Sequence, residues 1–272
     1  MPLITISRNI GCGGSVIGKL VAGKLKLELY DDARLQEEAL KMGISFEDLK
    51  SLDEKTPGFF DRILTRKPEL YLDFMEAVIY EVAHRGEGVI IGHGSQMLLR
   101  DFGCALHVYL HAAIPIRIKN MMEQKRLTRE AAEKLIRKRD NEQRGFFRYA
   151  FNMNWNDPSL YDLIVNTEKM GIDSAVGLIV DAARSDQIQS CSITAVDAME
   201  RLSLEKKIEA ALMENNITFS MLNVEVQVKG TARIAGLLYN SEDKDRISDV
   251  VKSVAGITDV ESNVSVMPSG GI

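Results

Sequence analysis

The chain reads as an α/β protein: a parallel sheet with helices on both faces and a helical lid, followed by a small αββαβ unit. Three observations predict this. First, a β-rich run over residues 3–7 enters a glycine loop, Arg8 to Gly14, and then a helical pattern with Ile17, Leu20, Val21 and Leu25 on one face. Second, short apolar runs alternate with helical stretches as far as residue 184. Third, the period changes near the C-terminus, where residues 222–228 alternate apolar and polar side chains.

Element by element, a short strand ending in Asp31-Asp32 follows the first helix. Helices are expected over 33–42, 45–52 (with Ser45 as cap) and 70–85, interrupted by Thr56-Pro-Gly58. Gly88-Val-Ile-Ile-Gly92 reads as a buried strand leading into Gly92-His93-Gly94, and residues 105–110 as the next strand. A helix starts near Pro115. Residues 163–166 form the final strand of this unit, and Asp173 is placed to cap a helix over 174–184. The polar stretch around 185–195 reads as a linker. Beyond it come a helix over 204–213, a hairpin turning at Lys229-Gly230, a helix over 243–254 ended by Gly256, and a strand over 260–266. The division is residues 1–185, a linker at 186–196, and a second unit over 197–268.

Composition narrows the function. The chain has 272 residues, 45% of them hydrophobic, enough for two cores. No apolar run reaches the roughly 18 residues of a membrane span, and the N-terminus enters a strand without a secretory pattern. Cys12, Cys104 and Cys191 are odd in number and far apart, which predicts a reducing, cytoplasmic compartment and neither a metal cluster nor a disulfide frame. A net charge of -5 argues against nucleic acid as a partner.

The chemistry concentrates in the first loop. A strand, a glycine turn and a helix N-terminus form a cradle for phosphate, because loop amides and the helix dipole both favour an anion there. The literal pattern Gly13-x-x-x-x-Gly18-Lys19 is a decoy: it puts Lys19 a full turn into the helix and ends in Leu20, not Ser or Thr. Counted from the strand end, the loop contains Gly11, Cys12, Gly13 and Gly14, and Ser15 falls at the magnesium-ligand position. The usual lysine is then Gly14 and the usual first glycine is Arg8, whose guanidinium is suited to supply the missing cation. The competing reading of this loop is a plain strand-to-helix turn.

Residues 117–148 are strongly basic, and Arg137, Asp140, Arg144 and Arg148 recur at three- and four-residue steps. Such a run is either a solvated, salt-bridged helix or an arm that closes over phosphates.

Several of these stretches together resemble the cytidylate kinase-like family, a branch of the P-loop nucleoside monophosphate kinases. They are Ile4-Thr-Ile-Ser-Arg-Asn-Ile-Gly-Cys-Gly-Gly14, Tyr30-Asp31, Val89-Ile-Ile-Gly-His-Gly94 and Trp155-Asn-Asp-Pro-Ser-Leu-Tyr-Asp-Leu-Ile-Val-Asn-Thr167. The resemblance implies a P-loop sheet, an acceptor-binding insert around 33–85 and a lid around 117–150. It implies ATP as phosphoryl donor, Mg²⁺ on Ser15, and a nucleoside monophosphate as acceptor, with CMP or dCMP leading. Donor phosphates would lie on Gly11, Cys12, Gly13, Gly14 and Ser15. Arg8, Arg137, Arg144 and Arg148 would stabilise the transferring group, and Asp31 and His93 would face the acceptor. His93 stands where the family usually has arginine.

The C-terminal unit resembles a BON domain, from Val224-Glu-Val-Gln-Val-Lys-Gly230 to Val254-Ala-Gly-Ile-Thr-Asp-Val-Glu-Ser-Asn-Val-Ser-Val266. That resemblance implies a small ligand, a lipid or a protein as second partner. It leaves homo-oligomerisation open. The alternative function is a nucleotide-binding regulatory protein with little or no turnover.

Overall fold

A computed structural model of the chain describes residues 2–42, 68–189, 193–228 and 230–267. The expected helix at 45–52 and the break at Thr56-Pro-Gly58 lie outside these residues. In chain order the first unit contains β1 (Leu3–Arg8), α1 (Gly14–Leu25), β2 (Leu29–Tyr30), α2 (Asp32–Lys41), α3 (Pro68–His84) and β3 (Gly88–Ile91). It continues with α4 (Ser95–Leu98), β4 (Ala105–His111), α5 (Ile114–Lys125), α6 (Arg129–Phe151), β5 (Leu163–Asn166), α7 (Thr167–Ala183) and α8 (Asp186–Gln189). The remaining elements are α9 (Ile193–Glu214), β6 (Leu222–Val228), β7 (Thr231–Leu238), α10 (Ser241–Lys252) and β8 (Asp259–Val266).

The first sheet has the order β2-β3-β1-β4-β5. Every pairing in it is parallel. Alternation along β1 explains the layers. Leu3 packs with Tyr30, Val78, Ile79 and Val82 on one face, while Ile4 and Ile6 pack with Ile17, Val21, Val176 and Ile179 on the other. With both faces covered, the strand ends are the open part of the sheet, and loops there can form a site.

The aromatic stretch before β5 is anchored in the core. Trp155 is buried and meets Tyr109 edge-on at 5.2 Å, and Tyr161 stacks on Tyr109 at 5.1 Å. Tyr161 donates its hydroxyl hydrogen to the Trp155 carbonyl, and Asp162 accepts from the His107 amide at 2.8 Å. The motif therefore holds β5 beside β4. Phe146, Phe147 and Phe151 form a second aromatic cluster, which seats the end of α6.

Two sequence expectations change. The helix after β5 begins at Thr167, capped by Asn166, and breaks at Gly171, where φ is 71°. Cys104 is disulfide-bonded, which the odd and scattered cysteine count does not anticipate. Cys12 is a free, buried thiol. Among the described residues no helix is long and apolar enough to cross a membrane.

The second sheet, β6-β7-β8, is mixed: β6 is antiparallel to β7, and β8 is parallel to it. Its core joins Val226, Ala232, Ile234 and Val264 to Ile208 and Leu212 of α9 and Ile247 and Val251 of α10. The helix expected over 204–213 starts eleven residues earlier, at Ile193. Its two apolar faces explain the short reading. Met199 and Leu202 join the first unit's core while Leu204, Ile208 and Leu212 join the second's, so no single stripe stands out.

Gly236 in β7 has φ 136°, and a Cβ there would lie 2.1 Å from the Met221 carbonyl oxygen. Gly236→Ala is therefore expected to cost roughly 3 kcal/mol. The checks are the urea midpoint, which falls, and hydrogen exchange, in which β6–β8 lose protection before β1.

Candidate active site

The loop between β1 and α1 is shaped by glycine and held by its neighbours. Gly11 and Gly13 both have φ 84°, a conformation that side chains disfavour. A Cβ on Gly11 would also lie 2.8 Å from the Arg117 carbonyl oxygen. Three successive loop carbonyls accept hydrogen bonds from outside the loop. Arg117 Nε donates to Ile10 O at 2.8 Å, Asn120 Nδ2 to Gly11 O at 2.8 Å, and Thr167 Oγ1 to Cys12 O at 2.8 Å. With its carbonyls held this way, the loop delivers the chain into α1, whose first amides have no intrahelical acceptor. The Cys12 thiol donates to the Leu110 carbonyl at 3.4 Å, and burial pushes its pKa up. Cys12 is thus a packed small residue in an unreactive state.

Arg8 and Gly14 are sterically linked. A Cβ on Gly14 would stand 2.7 Å from Arg8 Cβ and 2.8 Å from its Cγ. The arginine stem occupies the space that a side chain at position 14 would need. Arg8, Gly11, Gly13, Gly14 and Ser15 line a cleft of about 260 Å³, closed on its far side by Lys125, Arg139 and Gln143.

A second cavity of about 300 Å³ adjoins it, lined by Ser15, Lys19, Asp31, Asp32 and Ile91 among others. Ser15 borders both cavities. Asp31 caps α2, accepting from the Arg34 amide at 3.2 Å, and still faces this cavity. Asp32 Oδ1 lies 3.0 Å from Nε2 of His93, and both side chains are buried. Gly92, His93 and Gly94 all have positive φ, 80°, 58° and 69°. Such a conformation is uncommon for a histidine, and His93 is fixed in it with its ring against Asp32.

Helix α6 is tied to the loop through Arg117. Its guanidinium is 4% exposed and forms a bidentate pair with Asp140, at 2.6 and 2.9 Å. Arg137 pairs with Glu133 at 2.6 Å on the outer face and Arg144 donates to Asn141 at 3.1 Å. Arg148 is exposed, and none of these three lines the cleft. Arg139, two residues on from Arg137, does. Arg117, Asn120, Asp32 and Arg139 are thus site residues that motif reading passed over. The apolar phase of α6 was the available signal: Ala132, Ile136 and Phe146 are buried, and Arg139 and Gln143 follow their spacing.

Removing the Arg117 guanidinium strands Asp140 and frees Ile10. Arg117→Met is expected to cost roughly 2 kcal/mol of stability, discounted because Asp140 is partly exposed. Thermal unfolding and ATP binding check this, and both are expected to weaken.

The geometry agrees with what the chain is similar to. The model of the cytidylate kinase-like family matches residues 3–169. The chain is 28% identical over 182 residues to a cytidylate kinase of Pyrobaculum islandicum, covering 66% of this chain and 92% of that one. It is 27% identical over 182 residues to a cytidylate kinase of Staphylothermus marinus, covering 66% and 94%. The crystal structure of an uncharacterized protein from Eubacterium ventriosum shares the fold, with a TM-score of 0.54 at 21% identity over 70% of this chain and 98% of that one. The chain belongs to the cytidylate kinase-like family.

Proposed function

We propose that the chain is an ATP-dependent nucleoside monophosphate kinase whose acceptor is CMP or dCMP. The observation that carries this reading is the exclusion between Arg8 and Gly14, which puts an arginine stem where a phosphate-binding loop ordinarily carries its lysine. ATP's phosphates lie on the amides of Gly11, Gly13, Gly14 and Ser15, with Arg8 and Arg139 as cations in the same cleft. The monophosphate enters the second cavity, beside Asp31 and Asp32, with His93 buried behind Asp32. The names of the relatives support cytosine as the base.

In this mechanism an oxygen of the acceptor phosphate attacks the γ-phosphorus. The bond to the β,γ-bridging oxygen breaks, and ADP leaves with that electron pair. Little covalent help is needed, and positioning with charge neutralisation carries the rate. Ser15, Asp31 and Asp32 bring oxygen donors to one cavity, beside Lys19, and these three would be the residues to hold Mg²⁺. Held by these residues, Mg²⁺ would supply charge neutralisation to the donor phosphates. Arg137, Arg144 and Arg148 act when the lid closes further, Arg137 and Arg144 releasing Glu133 and Asn141 to reach the transferring group. His93, held by Asp32, orients the acceptor loop. The αββαβ order of the C-terminal unit supports a BON-like module that binds a second ligand.

The test is ADP release from ATP and Mg²⁺ against a panel of ribo- and deoxyribonucleoside monophosphates. Turnover is expected with CMP or dCMP, and a fall of about 10³-fold in kcat/KM in Arg8→Ala, the scale of removing a transition-state arginine. Saturable ATP binding with no acceptor-dependent turnover would overturn the kinase and leave the nucleotide-binding regulator.

A further inference from the structure

The longest helix of the C-terminal half belongs to two cores at once. Along α9, Met199 and Leu202 pack into the first unit, and Leu204, Ile208 and Leu212 into the second. The helix lies along α3, the last helix of the insert region. Polar bonds fix its position there. Lys206 pairs with Glu76 at 2.8 Å, Lys207 with Glu81 at 2.6 Å, and Ser203 donates to Glu81 at 2.9 Å. Burial works to raise the Glu81 carboxyl, yet Lys207 and Ser203 hold it below the usual range.

The charges continue toward the acceptor cavity. Glu81 Oε1 is 3.9 Å from Arg85, which donates to the Tyr30 hydroxyl at 3.0 Å and pairs with the buried Glu38 of α2. Arg34, one turn earlier on α2, also reaches Glu38, at 3.0 Å. The same α2 opens with Asp32, the partner of His93. On the other side, α3 leads directly into β3 and the Gly92-His93-Gly94 turn. Two routes therefore run from α9 toward one cavity, through α2 to Asp32 and through α3 and β3 to Ile91, both of which line it.

We propose that Lys206 and Lys207 are positioning residues for the acceptor site, and that the C-terminal unit braces that site through the α9–α3 seam. This rests on the kinase reading for what the cavity binds. The brace acts on the acceptor side, because the donor loop is held by a separate set of bonds, from Arg117, Asn120 and Thr167 to its carbonyls.

The experiment compares Lys206→Met/Lys207→Met with Lys206→Arg/Lys207→Arg in the full chain. Methionine keeps most of the aliphatic stem and removes the charge. The methionine pair is expected to raise the acceptor KM at least fivefold, with kcat and the ATP KM within twofold of wild type. The arginine pair is expected to restore the acceptor KM. Hydrogen exchange without nucleotide is expected to quicken over residues 32–41 and 88–98 in the methionine pair only. An unchanged acceptor KM, or an equal loss in both KM values and kcat, would overturn the brace. If the wild-type chain shows no turnover, the kinase reading fails by itself and exchange decides: quickening in those two segments sustains the brace, and unaltered exchange overturns it.

Discussion

Two side chains cannot occupy the space between the end of β1 and the start of α1. Arg8 fills it, so residue 14 must be glycine. Much of the site follows from this. The glycine at the head of α1 brings the backbone close to whatever lies on the helix N-terminus. The arginine puts a permanent positive charge in the same cleft. The loop that makes the exchange is held by side chains from elsewhere: Arg117 and Asn120 on α5, and Thr167 at the start of α7. The sheet order places both helices next to the loop, because β1 is paired with β4 and β4 with β5. Fold and site are joined through those three hydrogen bonds.

The β1–α1 loop and α6 are coupled by the same residue. Arg117 donates to the loop with Nε and holds Asp140 with its other two nitrogens. So tied, α6 puts Arg139 and Gln143 in the wall of the cleft and leaves Arg137 and Arg144 outside it. The second cavity has different surroundings. Asp32 on its wall contacts the buried His93, and ion pairs run from Lys207 of α9 through Glu81 and Arg85 to Glu38 of α2. One cavity is governed by loop geometry and the other by helix placement.

The parallel sheet was readable from alternation. β5 spans the residues its apolar run predicts, and the other strands of that sheet differ by a residue or two. Strands buried on both faces leave an unambiguous apolar signature. The length of α9 was hidden because a helix facing two cores has no dominant stripe, and Met199, Leu202, Leu204 and Ile208 point different ways. The position of Arg8 in the cleft was legible, because a missing lysine draws attention to the nearest cation. Arg117 was not, since one arginine in a basic run looks like any other until the fold brings Asp140 beside it, 23 residues on. Asp32 was passed over in favour of Asp31, whose capping and cavity-facing roles coincide. The disulfide at Cys104 left no signal in an odd, scattered cysteine count.

The most direct measurement is ATP affinity and acceptor-dependent ADP release for wild type, Arg8→Ala and the exchange Arg8→Gly/Gly14→Lys. The exchange removes the stem that blocks position 14 and puts a cation on the other side of the same space. The account predicts that Arg8→Ala is inactive and that the exchange recovers a substantial part of both affinity and turnover. An exchange variant that folds, retains its melting temperature and is as inactive as Arg8→Ala would contradict it.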